Sequence, residues 1–269
     1  MSLSSDSLTA PNSVSALRAE HATQHLSWTW PLLFTFLRFP LLALGFLAAM
    51  FVVHVTGGAD APNVAQAFTR FDMPLGADII CLVLLRQQLH REGPTLRQLI
   101  MPTRRFILRD LITSFGIILP TAILGGGLTV LFIFMARAPL GTISEHIINP
   151  LGLPWHILIS MLILPITSGI TEELVYRGYA LPRLVALTGR RWQGIAIMAS
   201  GFGLQHAAFV LTDWRLAIVS AIGLACIGAG FGIAYFVNKQ RLLPLMLLHW
   251  QSDLLTFGAV PLLLYFLFK

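Results

Sequence analysis

A polytopic bundle of membrane-spanning helices, all-α, is the fold class this sequence predicts, and three observations predict it. Hydrophobic residues make up 56% of the 269-residue chain and charged residues only 11%, where a soluble domain carries about 25% charged residues. The apolar residues are gathered into long runs, several reaching the roughly 20 residues that a helix rising 1.5 Å per residue needs to cross a hydrocarbon core. Lys and Arg collect in alternate connections between those runs, as the positive-inside rule requires.

Taken in order, residues 1–26 are rich in Ser, Thr, Ala and Asn and lack the basic start and apolar core of a signal peptide, so they predict a disordered cytoplasmic tail. Residues 27–269 predict a single membrane bundle, because no polar block is long enough to fold separately. The first span runs from about Pro31 to Val55, with Arg38 near its start placed to snorkel to the surface. Gly57, Gly58, Asp60 and Pro62 mark a turn, and a weaker second run follows from Phe68 to Leu85 with Asp72 and Asp78. Asp78 is expected at the interface.

A third run covers Phe106 to Met135, where Pro120 and Gly125-Gly126-Gly127 predict a kink or a break. After a turn-rich connection from Ala138 to Pro154, a fourth run spans Trp155 to Pro182 and contains Pro165, a kink expected to admit water. The fifth, sixth and seventh cover about Gly194–Leu211, Leu216–Val237 and Leu242–Leu267. About seven transmembrane helices result, with an eighth span or a re-entrant second run as the alternative. The connections after the second, fourth and sixth spans hold six, four and two Lys or Arg, against one each (Arg70, Arg137, Arg215) in the opposite connections. The amino terminus is therefore expected in the cytoplasm, and the bacterial cytoplasmic (inner) membrane is the expected location.

The net charge of +6 does not indicate a nucleic-acid partner, since the arginines lie beside apolar runs and not on a basic face interleaved with aromatic residues. Membrane lipid is the expected surrounding partner. Cys81 and Cys226 sit within apolar runs without metal-type spacing and predict buried free thiols. Gly228 and Gly232, four apart in the sixth run, predict close helix packing. His54, His90, His146 and His156 carry no spacing signal.

Three polar sets stand inside the last four spans: Glu172-Glu173 with Arg177, Phe202 to His206 including Gln205, and His249 to Asp253. An ionisable residue at such depth is a functional-site hypothesis by default. Residues four apart share a helix face, so Glu173 is expected to pair with Arg177 as a structural clamp, and His249 and Asp253 to project together. Counted from the predicted cytoplasmic ends, Glu172, His206, His249 and Asp253 all lie roughly 10–18 Å deep. One pocket can therefore hold all four. Two chemistries use these groups. Glu172 with His206 suits general-base activation of a water, with His249 and Asp253 supporting an oxyanion or Asp253 orienting His249. The same Glu172, His206, His249 and Asp253 also suit a zinc ion with an open position for water.

The ordered set Glu172-Glu173-x-x-x-Arg177, Phe202-x-x-x-His206 and His249-x-x-x-Asp253 resembles the three motifs of the CPBP family, the type II CAAX prenyl proteases with the bacteriocin-processing and self-immunity membrane proteins. The resemblance covers about residues 155–260. It implies an intramembrane endopeptidase, a peptidase acting on membrane-associated or lipid-modified, CAAX-like peptides. It further implies that Glu172 and His206 activate the water while His249 and Asp253 support the oxyanion. The prenyl proteases typically carry Asn where this chain has Asp253, and an ionised Asp donates no hydrogen bond, which favours a metal-ligand role for that residue. Competing readings are a proton- or ion-coupled transporter, which has the same residue types but for which no internal repeat is found, and a non-catalytic self-immunity member. The His-Glu-x-x-His, Gly-x-Gly-Asp and Gly-x-Ser-x-Gly signatures of other proteases are absent.

Overall fold

The computed structural model describes residues 13–22, 26–56, 61–100, 106–135, 154–211, 213–256 and 263. Among them the chain is 91% helix with no strand. The helices are α1 (Val14–Ala22), α2 (Thr29–Phe36), α3 (Arg38–Thr56), α4 (Ala61–Arg70), α5 (Asp72–Glu92), α6 (Leu96–Ile100), α7 (Ile107–Met135), α8 (Trp155–Glu172), a π-helical stretch (Glu173–Ala180), α9 (Leu181–Thr188), α10 (Arg191–Ala207), a 3-10 turn (Ala208–Val210), α11 (Trp214–Val237) and α12 (Leu243–Thr256).

Four stretches among the described residues are long and apolar enough to cross a membrane: Thr29–Val55, Ile107–Phe132, Trp155–Thr188 and Trp214–Val237. The chain is thus an integral membrane protein of helices, but the expected count of seven spans is not reached on this measure. The reasons differ by element. The α5 helix carries Asp72, Asp78, Arg86, Arg91 and Glu92, α10 has 17 residues, and α12 is described only to Thr256, so the expected span to Leu267 ends outside the described residues. The Gly57–Asp60 turn and most of the Ala138–Pro154 connection also lie outside them. Exposed Leu108, Ile112, Ile123, Val130 and Phe134 make one side of α7 a surface suited to lipid.

Several sequence expectations are corrected. Part of the predicted disordered tail is the helix α1, which packs on α9, buries Leu17 and donates from Arg18 Nη2 to the Gly189 carbonyl (2.9 Å). Docking supplies what its polar sequence lacks. The third run is one helix through Pro120 and the glycine triplet, because Gly125 is where α7 meets α11: a Cβ there would stand 3.2 Å from the Gly223 carbonyl carbon. Three of the presumed topology cations are buried and paired. Arg177 holds Glu173 at 2.9 Å, Arg183 holds Glu92 at 2.5 Å, and Arg241 holds Asp110 at 2.5 Å. They are fold residues as well as loop charges.

The centre of the bundle is formed by α8, the π-helical stretch, α10, α11 and α12. Leu174, Val175, Tyr176, Tyr179, Phe202, Phe231, Tyr235 and Leu245 belong to its main apolar core. The packing expected of Gly228 and Gly232 is present, since Cβ atoms there would come within 2.8 Å of Phe202 Cδ1 and 2.9 Å of Met198 Cε on α10. On the other side, a Cβ on Gly169 of α8 would meet the Trp250 amide nitrogen of α12 at 3.0 Å. That close approach sets the distance between the two helices bearing the first and third motifs.

Candidate active site

The first motif sits where α-helix gives way to π-helix. Pro165 lies inside α8, which still continues to Glu172, and the chain then runs through the π-helical Glu173–Ala180 into α9. A π-helical turn adds backbone per turn and is found frequently at functional sites. Here it begins between the two acids, which are turned into different hydrogen-bond networks.

Glu172 is buried. Its Oε1 accepts from Arg38 Nη2 at 2.9 Å and from Ser168 Oγ at 3.1 Å, and its Oε2 accepts from Gln205 Nε2 at 3.0 Å. The Oε2 atom also lies 3.8 Å from His249 Nε2. Glu173 has no exposed surface; its Oε1 accepts from Arg177 Nη1 at 2.9 Å and pairs with His249 Nδ1 at 2.8 Å. The two acids thus grip different sides of the same neighbourhood: Glu172 faces His249 Nε2, and Glu173 holds Nδ1.

The expected clamp between Glu173 and Arg177 is present and does more than fix a helix end. Arg177 also donates to the Gly228 carbonyl (3.2 Å), and its guanidinium lies 4.4 Å and 4.9 Å from the ring centres of Phe202 and Phe231. Those rings flank His249, with centroids 6.1 Å and 5.4 Å away. Phe202 therefore packs the site by filling the space between Arg177 and both histidines.

The imidazole roles follow from their partners. His206 Nδ1 lies 2.8 Å from the Phe202 carbonyl oxygen, which only accepts, so Nδ1 carries the proton and a neutral ring presents Nε2 as an acceptor. His249 Nδ1 likewise donates to the Glu173 carboxylate, directing Nε2 towards Glu172 and towards Asp253 Oδ2 at 3.6 Å. Both Nε2 distances exceed a direct hydrogen bond. The structure therefore brings Glu172, His249 and Asp253 together, with His206 within electrostatic range of the Glu172 carboxylate.

Sequence reasoning leaves Arg38 and Asp78 outside this site and gives Gln205 no role in it. Arg38 does not snorkel: it is 1% exposed and donates from Nε to Gln205 (2.5 Å), from Nη1 to Asp78 and from Nη2 to Glu172. Asp78 is not interfacial but equally buried beside Arg38. Gln205, one residue before His206, accepts from Arg38 Nε and Tyr176 Oη (3.1 Å) while donating to Glu172. The available signal was the opposite charge of Arg38 and Asp78, each within an apolar run and each in need of a partner.

Among the described residues no group of three or more His, Cys, Asp or Glu side chains is arranged to hold a metal ion. The reason is local: Arg38, Ser168 and Gln205 occupy both oxygens of Glu172, and a guanidinium beside that carboxylate competes with a cation. The set Glu172, His206, His249 and Asp253 does not fit zinc in this arrangement.

No curated protein and no solved structure matches the chain. Residues 154–255 match the family model described as type II CAAX prenyl endopeptidase Rce1-like. That segment holds Glu172, Glu173, Arg177, His206, His249 and Asp253 and excludes Arg38 and Asp78. Over that segment the chain is similar to the CPBP family of intramembrane proteases, the family that its three motifs resemble.

Proposed function

We propose that the protein is an intramembrane endopeptidase that hydrolyses membrane-associated or lipid-modified, CAAX-like peptides with a water activated by Glu172 and His206. The observation that carries this reading is the convergence of the Glu172 carboxylate with two imidazoles, each fixed through Nδ1 by an acceptor (2.8 Å in both cases) so that Nε2 is directed into the site. A site of this kind reaches its substrate from within or beside the membrane, and the alternation of Lys and Arg between the apolar runs supports a cytoplasmic-side position for it.

In the proposed reaction a water lies between Glu172 Oε2 and His206 Nε2. Glu172 takes one proton as the oxygen attacks the scissile carbonyl carbon, and the carbonyl electron pair moves to oxygen. His249, ringed by Glu173, Asp253 and Glu172, is placed to carry a second proton on Nε2 and donate to that oxyanion. Asp253 orients His249. On collapse the carbon–nitrogen bond breaks, the proton held by Glu172 passes to the leaving nitrogen, and a carboxylic acid and an amine result.

The test is cleavage of a membrane-anchored peptide library by purified protein in liposomes. Glu172→Ala and His206→Ala should each abolish cleavage with the fold retained. Undiminished cleavage by Glu172→Ala would falsify the mechanism. Metal-free protein, verified by elemental analysis, should keep its activity; stoichiometric zinc lost together with activity overturns the water-only mechanism.

A further inference from the structure

We infer that Arg38, held by Asp78, is a positioning residue for the Glu172 carboxylate, so that the active site is completed from outside the segment that carries the family motifs. The inference rests on the proposed role of Glu172 as the base. Arg38 opens α3 and Asp78 lies in α5, 134 and 94 residues before Glu172 in the chain. Neither falls within residues 154–255.

The geometry is a closed ring. Arg38 Nη2 donates to Glu172 Oε1 (2.9 Å), Arg38 Nε donates to Gln205 Oε1 (2.5 Å), and Gln205 Nε2 donates to Glu172 Oε2 (3.0 Å). This ring fixes the plane of the carboxylate. It also assigns the carboxylate oxygens different tasks: Oε1 is taken by Arg38 and Ser168, leaving Oε2 as the atom that faces His249 Nε2. The Gln205 amide is fixed in turn, because its oxygen accepts from both Arg38 and Tyr176 and only its nitrogen remains to donate. Asp78 holds the guanidinium from the opposite side through Nη1. A fork of donors with fixed geometry is needed for this, and a lysine ammonium offers no equivalent.

A structural role and a positioning role predict different results for neutral pairs. Arg38→Gln takes the shared cation from the buried Asp78 and Glu172 carboxylates; Glu172 keeps Ser168 and Gln205, while Asp78 loses the ion pair that holds it, which by itself destabilises the fold. Arg38→Gln/Asp78→Asn removes that cost. If the dyad only stabilises the bundle, the double variant recovers both folding and cleavage. If it positions the base, the double variant recovers folding and stays slow.

The experiment is steady-state cleavage of a membrane-anchored peptide by liposome-reconstituted wild type, Arg38→Gln, Arg38→Lys, Arg38→Gln/Asp78→Asn and Glu172→Gln, with thermal unfolding of each. We expect kcat of the double variant to fall about 100-fold or more with KM little changed, the scale of losing one preorganised donor or displacing a reacting group by about 1 Å. Its melting temperature should return towards wild type. Arg38→Lys should stay at least tenfold slow. Wild-type kcat in the double variant, with Glu172→Gln inactive, overturns the inference and leaves the proposed base intact. Full activity in Glu172→Gln overturns the proposed base itself.

Discussion

Replacing Glu173 by Gln should destabilise the protein by about 3 kcal/mol, because it removes the anion but not the shape of a buried ion pair. Glu173 and Arg177 are both fully buried and joined at 2.9 Å, and the same Glu173 oxygen pairs with His249 Nδ1 at 2.8 Å. Breaking such a pair from one side costs about 3–5 kcal/mol, since the remaining charge has no water to turn to. Two features place the expected value at the lower end. Arg177 keeps the Gly228 carbonyl and the faces of Phe202 and Phe231, and the Gln oxygen still accepts from His249. A loss of about 3 kcal/mol lowers the folded-to-unfolded ratio by roughly a hundredfold. Reversible unfolding in mixed micelles, followed by tryptophan fluorescence, measures it. The companion Glu173→Gln/Arg177→Met, with neither charge left, should lie within about 1 kcal/mol of wild type, as replaced buried pairs often do. If the single variant costs no more than the double, the pair is not a buried charge couple and the reading of this cluster fails.

Three further outcomes follow from the geometry. Gly169→Ala places a Cβ 3.0 Å from the Trp250 amide nitrogen, so α8 and α12 must separate; peptide cleavage should fall about tenfold or more through kcat as His249 moves from Glu172. Gly228→Ala puts a Cβ 2.8 Å from Phe202 Cδ1 and drives that ring against Arg177; a loss of about 1–3 kcal/mol is expected in the same unfolding assay. Asp253→Asn should keep kcat within about tenfold of wild type, since Asp253 stands 3.6 Å from His249 and acts through it; an inactive Asp253→Asn protein of native stability contradicts that supporting role.

The sequence made the helical class legible because apolar runs of span length have no other stable outcome in lipid. Glu172, His206, His249 and Asp253 stand out in it as candidates because i, i+4 spacing and depth are properties of single helices. What it hid depends on contacts between distant helices. The place of Arg38 near the end of a run predicts snorkelling, yet its partners lie 40, 134 and 167 residues away. Periodicity carries no record of such pairs. Arg177 one turn on makes Glu173 half of a local clamp; that Glu173 also holds His249, 76 residues later, follows only once α12 is packed on α8. The π-helical Glu173–Ala180 has no marker in its composition. The helix α1 was invisible for a simpler reason, as a polar nine-residue segment gains its helix from docking and not from propensity.

The charges of this site form one interlocked group. Arg38 serves Asp78, Glu172 and Gln205; Glu172 faces His249; His249 is held by Glu173; and Glu173 shares its oxygen with Arg177. Four carboxylates, counting Asp253, are thereby set against two guanidiniums and one imidazole within a low-dielectric interior. No member can be neutralised without leaving another uncompensated, so single substitutions report the stranded partner as much as the lost group. A loss of cleavage in Arg38→Gln or Glu173→Gln alone therefore assigns no role to either residue. The neutral double variant Arg38→Gln/Asp78→Asn does for Arg38, because it keeps the net charge of the group while leaving the Glu172 carboxylate unaimed; stability and turnover then separate, and only turnover belongs to the chemistry.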